Sequence, residues 1–449
     1  MSFQSFTGES RELLKFISEA LFQDLKGDET MLVEFRGEES DFLRWNQSKV
    51  RQNTSVLQRE IRFELHAGGK RTTKSFSAQG VIDQDLMTAR SLLQEARHQL
   101  SFLPNDPFLV PFLNHGTSLA EHPGQLLHNE ALIEAIARPS AEVDMAGLYA
   151  GGTIAVGNRN SLAQDHWFAN ESFFMDYSLY NGERAVKSCY ADLKWSQKSF
   201  NESLRNAREQ LEVMNRPRKK LLPGNYKVYL TPAALAEITQ VFDMGAISYR
   251  EYKNGACAFK KLIEKEETLS PMLSVSENFA LGLIPRFNSL GELAPKFLKI
   301  LDQGKLEQLL ISSRSAKEYG VPGNHASPIE ENPRALEIGT GNLSKNDIFK
   351  ELGTGLYLSN LHYLNWSDLQ NARVTGMTRY ACLWVEDGKI VAPIEDMRFD
   401  VSLFEIWGKG LMAVTDFAEV DPSVGTYFER SLGGKKLPGM LIKDFSFTL

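Results

Sequence analysis

Cysteine is scarce. The 449 residues contain three, Cys189, Cys257 and Cys382, an odd number spread widely along the chain. That excludes a disulfide framework and a C-x-x-C metal knot, and it fits a reducing compartment. Long apolar runs are lacking as well. Nothing approaches the roughly 20 residues of a membrane span. The opening MSFQSFTGESRELLKF lacks the basic-then-apolar order of a secretory signal. A cytoplasmic protein with no membrane partner is expected. There is no surplus of positive charge: 50 Lys and Arg stand against 57 Asp and Glu, a net charge of −7. Duplex DNA binding rests on clustered cations facing phosphates, so no nucleic-acid partner is expected. Walker phosphate loops, G-x-S-x-G elbows and dinucleotide fingerprints are also absent.

What remains is ordinary globular composition, 42% hydrophobic and 24% charged, in a chain long enough for two or three domains. ESRELLKFISEALFQDLKG reads as a helix with Leu13, Leu14, Ile17, Leu21 and Leu25 on one stripe and Gly27 at its end. Residues 31–76 show short β-rich runs, with alternation at Ile61, Phe63 and Leu65. A second helix, DQDLMTARSLLQEARHQL, places Leu86, Leu93, Ala96 and Leu100 together. Helix, sheet, helix predicts an α+β unit over 1–105.

Pro104, Pro107 and Pro111 mark a loop-rich passage into a middle domain over 106–222. It carries strand candidates at GTIAVGN, SFFMDYSLY and RAVKSCYADLKWS, and a helix over SFNESLRNAREQLEVM. NRPRKKLLPGN is read as a solvated linker, because four basic residues are too few for an electrostatic footprint. A β-rich C-terminal domain over 223–449 follows. It opens with the strand YKVYL and continues through helices expected near 291–303 and 305–318. LEIGTGNLSKNDIFKELGTGLYLSNL reads strand, turn, short helix, turn, strand, with Ser344 and Asp347 as an Asp variant of a capping box and Gly353 as a stop. Asp387-Gly388 between β-rich runs signals a hairpin, and Pro393 limits its second strand to an edge or an end.

The chemistry is thin. The glycines of GLYAGGTIAVGN lack a Lys-Ser/Thr ending, and turns or close backbone packing explain them. No two of the eight histidines lie at i, i+4 on an expected helix. His115, His122 and His128 fall close together in a loop-rich segment; they are read as scattered surface residues, with a metal site as the rival. Cys382 lies in an expected strand with no base beside it, and buried packing is the plain reading. LTPAALAEITQVF is a helix capped by Thr231, with Pro232 at its first position and Glu237 as its only charge. Glu237 is read first as a helix residue turned to water. The second reading makes it, with Gln240, the lining of a peptide groove.

Several stretches together resemble the TldD/PmbA family, known as modulators of DNA gyrase or as TldD/TldE peptidase subunits. They are LRWNQSKVRQNTSVLQREIRFELHAGGKR, SSRSAKEYGVPGN, LEIGTGNLSKNDIFKELGTGLYLSNL and VTGMTRYACLWVEDGKIVAPIEDMRFDVSLFEIWG. The resemblance covers most of the chain and is most specific near the end; residues 244–310 depart from the family pattern. It implies two kinds of subunit. One holds a catalytic zinc with His-Glu-x-x-x-His on a helix plus a late cysteine; the other lacks these ligands and pairs with the first. With Glu237 on the motif glutamate, Ala236 and Val241 stand at the histidine positions. No histidine lies between His166 and His325, and no cysteine follows Cys382. Alanine and valine cannot ligate, and one carboxylate cannot poise a zinc-bound water.

The resemblance therefore implies a non-catalytic subunit of the second kind. Zinc is expected only in a TldD-like partner, with no catalytic residue, metal or cofactor in this chain. A peptide is the expected substrate, bound by a heterodimer or a homodimer. The rivals are a stand-alone homodimeric peptide-binding protein, a hydrolase using a metal at His115, His122 and His128, and direct contact with gyrase.

Overall fold

Alternation in the first third of the chain builds a sheet with one helix-covered face. The structure, a computed structural model, describes residues 2–327 and 331–448. The first sheet holds β1 (Thr30–Asn46), β2 (Lys49–Ala67), β3 (Lys70–Ser77), β4 (Thr117–His122), β5 (Asp144–Asn160), β6 (Asp165–Asn181) and β7 (Arg184–Asp192). Their order is β3-β2-β1-β5-β6-β4, with β7 also on β6. All pairs are antiparallel except β4 with β6. Ile61, Phe63 and Leu65 all point into the core, as their alternation requires. They meet the buried stripes of α1 (Phe3–Gln23) and α2 (Ile82–Leu100). Farther along the same face, Met145, Tyr149, Phe173, Met175 and Tyr177 meet α3 (Asn129–Ser140) and α4 (Gln197–Met214).

Helix α1 begins six residues before the expected start, where the Ser2 hydroxyl accepts the Ser5 N–H. Residues 106–222 build no sheet of their own. Strand β1 pairs with β5 over Leu32–Trp45, so hydrogen bonding crosses the boundary expected at 105/106. Strand–strand pairing, which sequence order hides, unites the two segments.

The second sheet begins with β8 (Gly224–Leu230), followed by α5 (Pro232–Ile238) and α6 (Gln240–Asp243). Then come β9 (Val275–Asn278), β10 (Phe297–Asp302), β11 (Lys305–Leu306), β12 (Leu336–Ile338), β13 (Gly355–Leu358) and β14 (Asn360–Asp368). The series ends with β15 (Arg373–Arg379), β16 (Leu383–Glu386), β17 (Lys389–Pro393), β18 (Arg398–Ser402), β19 (Leu411–Pro422) and β20 (Gly434–Phe447). Strand β20 lies deep in this sheet, pairing with β8, β12, β18 and β19.

Three local expectations change. The helix expected near 291–303 is strand β10 with its flanking loops. The one near 305–318 is confined to Ser313–Tyr319, preceded by β11. Gln303 and Gly304 both have positive φ, 49° and 75°, and turn β10 back onto β11. Pairing with β9 then wins over the helix propensity of the Leu- and Lys-rich segment. Ser344 bonds the Asp347 carboxylate at 2.7 Å and caps no backbone N–H. The Asp387-Gly388 hairpin forms as read, with φ of 48° and 73°, and β17 ends at Pro393 on the sheet margin.

Candidate functional site

The face of the first sheet opposite α1–α4 turns toward the second sheet and forms one wall of a cleft. Strand periodicity sends Glu38, Ser40, Phe42 and Arg44 of β1 to this face, together with Ser172, Phe174, Asp176 and Ser178 of β6. The β19–β20 hairpin, through its loop 423–433, covers part of this face: Arg430 bonds Ser40 and Ser172, and Glu429 bonds Arg36. A space of about 1010 Å³ lies over Phe42, Arg44, Asp176 and Lys187, with Thr426 of the loop at its edge.

Helix α5 packs on β14, β19 and β20 of the second sheet, and both its ends are fixed. The Thr231 hydroxyl accepts from Ala234 N–H (3.1 Å) and donates to the Ser359 carbonyl (2.7 Å), while Pro232 needs no N–H partner at the first position. Leu235, Ile238, Val241 and Phe242 are buried in the core. The expected single helix divides at Thr239, whose hydroxyl turns back to the Ala236 carbonyl at 2.8 Å.

Glu237 is not a solvated helix residue. It is half-buried against β14, where Oε1 accepts the Leu364 N–H (3.4 Å) and Oε2 accepts from Gln240 Nε2 (2.7 Å). Burial raises its carboxyl above the ordinary range; the Leu364 N–H, Lys435 and Gln240 oppose that rise. A lone charge on an otherwise apolar helix is expected to face water, but α5 packs on β14, β19 and β20, and the Leu364 N–H of β14 meets the carboxylate. Glu237 and Gln240 are therefore brought together as one hydrogen-bonded pair.

Asp421 links the pair to the first sheet electrostatically, since both Glu237 and the Asp176 and Lys187 charges act on it. Lys435 Nζ lies 2.6 Å from Asp243 Oδ2. Asp421 of β19 is raised to about 6 by burial, with Lys435 opposing and Asp176 reinforcing. Asp176 bonds Lys187 Nζ at 2.8 Å across β6 and β7. Cys189 sits opposite Asp176 in the ladder. Its side chain keeps contact with solvent, and the protein packed around it, then the Asp176 and Asp421 carboxylates, push the thiol up and away from thiolate chemistry. Cys382 is buried and held up at about 11, its sulfur facing the carbonyls of Arg379 and Asn360.

The zinc implied by family resemblance does not fit these residues. Ala236 has no donor, and Val241 is wholly inside the core. His115, His122 and His128 serve three separate places: the His115 N–H bonds the Gln164 side chain, His122 packs on Phe168, and His128 approaches Asp41 at 3.5 Å. Among the described residues, no group of three or more His, Cys, Asp or Glu is placed to hold a metal.

The sequence reading missed Asp176, Lys187, Asp421, Lys435 and Arg430. Each sits in a polar or mixed stretch with no motif, and pairing between distant strands alone assembles them. The alternation of β6, which sends Ser172, Phe174 and Asp176 to one side, was the available signal.

The C-terminal half, residues 223–449, matches the family model described as the PmbA/TldA metallopeptidase C-terminal domain. A search of curated proteins gives no significant match. Solved structures share the fold across nearly the whole chain. A Thermotoga maritima protein named as a modulator of a DNA gyrase aligns with a TM-score of 0.76 at 15% identity, covering 97% of this chain and 99% of its own. A Bacteroides thetaiotaomicron protein named as a modulator of DNA gyrase aligns at 0.77 and 14%, covering 98% and 99%. TldE from Thermococcus kodakarensis aligns at 0.73 and 12%, covering 98% and 100%. With a family match over more than half of its length, this chain belongs to the TldD/PmbA family of metallopeptidase-like proteins.

Proposed function

We propose that the chain is a non-catalytic, TldE/PmbA-like subunit that holds peptide for a TldD-like, zinc-bearing partner in a cytoplasmic assembly. The observation that carries this reading is α5–α6. At the positions where a zinc-bearing subunit has histidines, this chain has the methyl group of Ala236 and the core residue Val241. The motif glutamate survives as Glu237, bonded to Leu364 N–H and Gln240. A carboxylate in that setting accepts N–H groups; it has no metal-bound water to deprotonate.

The cleft supports the peptide half of the reading. Its lining mixes the charged Arg44, Arg51, Asp176 and Lys187 with the apolar Phe42 and Val56, and its volume of about 1010 Å³ suits a peptide segment better than a small metabolite. Glu237 and Gln240, joined to each other and to the Leu364 N–H, stand outside the residues that line this space. The assembly would serve peptide maturation or the degradation of unfolded peptides.

The test uses a fluorescently labelled unstructured peptide. The chain alone is expected to bind it and leave it intact with zinc added. Cleavage is expected once a subunit bearing His-Glu-x-x-x-His is supplied. Hydrolysis by this chain with zinc alone, lost in E237Q, would overturn the proposal.

A further inference from the structure

Arg430 lies under the loop 423–433 with 2% of its surface exposed. Its Nε donates to Ser40 Oγ (3.3 Å), Nη1 to Ser172 Oγ (3.0 Å) and Nη2 to the Gly152 carbonyl (2.7 Å). A guanidinium has five N–H donors, so two are left without a partner among the described residues. Glu38, the neighbouring carboxylate, directs both oxygens to the Arg430 backbone N–H at 3.2 Å rather than to the guanidinium. Burial lowers Arg430 to about 10, with Glu38 opposing, and the group is still charged at neutral pH. A buried ion without a direct counter-ion costs several kcal/mol, which a ligand carboxylate would offset.

Arg430 borders a cavity of about 320 Å³ between β6, β7 and the β19–β20 hairpin. Asn170 lines the same cavity, is 4% exposed, and its side-chain amide hydrogen-bonds to no described residue. The rest of the lining includes the apolar Phe174, Leu193, Leu283, Val420 and Leu432, the hydroxyls of Ser172, Ser423 and Ser431, and the exposed Asp192, whose Oδ1 is turned to the Leu193 N–H at 2.7 Å. The lining sets a buried cation and an unpartnered amide beside apolar side chains. The volume is at the low end for ligand sites, room for one terminal residue and not for a chain passing through.

We infer that this cavity binds the C-terminal residue of a peptide, with the α-carboxylate on Arg430 and Asn170 and an apolar side chain among Phe174, Leu283, Val420 and Leu432. An internal Asp or Glu would have to bring polar backbone on both sides of it in among the apolar side chains. The inference rests on the peptide-holding reading and adds to it the end of the peptide that is recognised.

The experiment compares two short peptides labelled at the N-terminus with fluorescein and ending in leucine, one as the free acid and one as the C-terminal amide. Anisotropy titration of the full chain should show the acid binding at least about tenfold tighter, the scale of paired charge-assisted hydrogen bonds. In Arg430→Gln the ratio should fall toward one. Because Arg430 also ties down the loop, Asn170→Ala provides the second variant; its side chain bonds to no described residue, and it should shrink the ratio without moving the melting temperature. Equal binding of acid and amide to the unmodified chain overturns the carboxylate site and leaves the peptide-holding reading in place. Binding of neither overturns both.

Discussion

Asp421 has a charge in a place that disfavours it. Burial raises its carboxyl from 3.8 to about 6, so the folded chain holds that proton more tightly than the unfolded chain does. A proton held more tightly on folding means stability falls as pH rises through that window. Asp421→Asn keeps the shape and removes the charge. It should match the unmodified chain near pH 4 and exceed it by about 1–3 kcal/mol near pH 7. Urea titrations at the two pH values measure this; no gain at the higher pH would show that Lys435 compensates the charge fully. At this scale the site was only half legible. Glu237 could be picked out because it is the sole charge in its helix. Its partner, the Leu364 N–H, is 127 residues away, and no local pattern announces such a contact. Arg430 was equally unmarked: an arginine in a polar loop reads as solvated until the loop is laid on the sheet.

At the scale of elements, period and turn chemistry were the dependable guides. The alternation of Ile61, Phe63 and Leu65 and the Asp387-Gly388 turn correspond to what forms, because each is fixed by neighbours in sequence. Strand β10 was lost to a helix reading because Leu298, Ile300 and Leu301 sit among good helix formers and only their pairing with β9 decides the outcome. The glycines of β5 were legible in kind. Gly152 lies directly against β1, where a Cβ would meet the Glu39 carbonyl oxygen at 2.0 Å. Its own carbonyl receives the Arg430 guanidinium. Gly152→Ala must therefore push β1 and β5 away from each other and disturb the loop anchor together. A loss of roughly 3 kcal/mol or more is expected from such overpacking, read as a lower urea midpoint. An unchanged midpoint would mean that β1 and β5 yield at this point without penalty.

Across the whole molecule, the two sheets are tied at several points distant in sequence. Arg314 forks onto Asp106 at 2.7 and 3.2 Å, and Asn158 Nδ2 donates to the Ser289 carbonyl at 2.8 Å. Arg430 adds the most buried of these ties. None could be foreseen from composition, because each joins a residue of the first 222 to one of the remainder. The loop that carries Arg430 also has Tyr427 and Phe428 at 90% and 85% exposure. Such a tip is open to an aromatic-specific protease, while the strands on either side are not. A chymotryptic cut there would free a tail containing β20, yet β20 pairs with four strands that stay on the larger fragment. Limited digestion should thus give two bands on a denaturing gel and one particle on a sizing column, separating only in denaturant. Separation without denaturant would count against the deep placement of β20. The covalent bond at that tip is dispensable to the fold, and the chain could be made as two pieces that find each other.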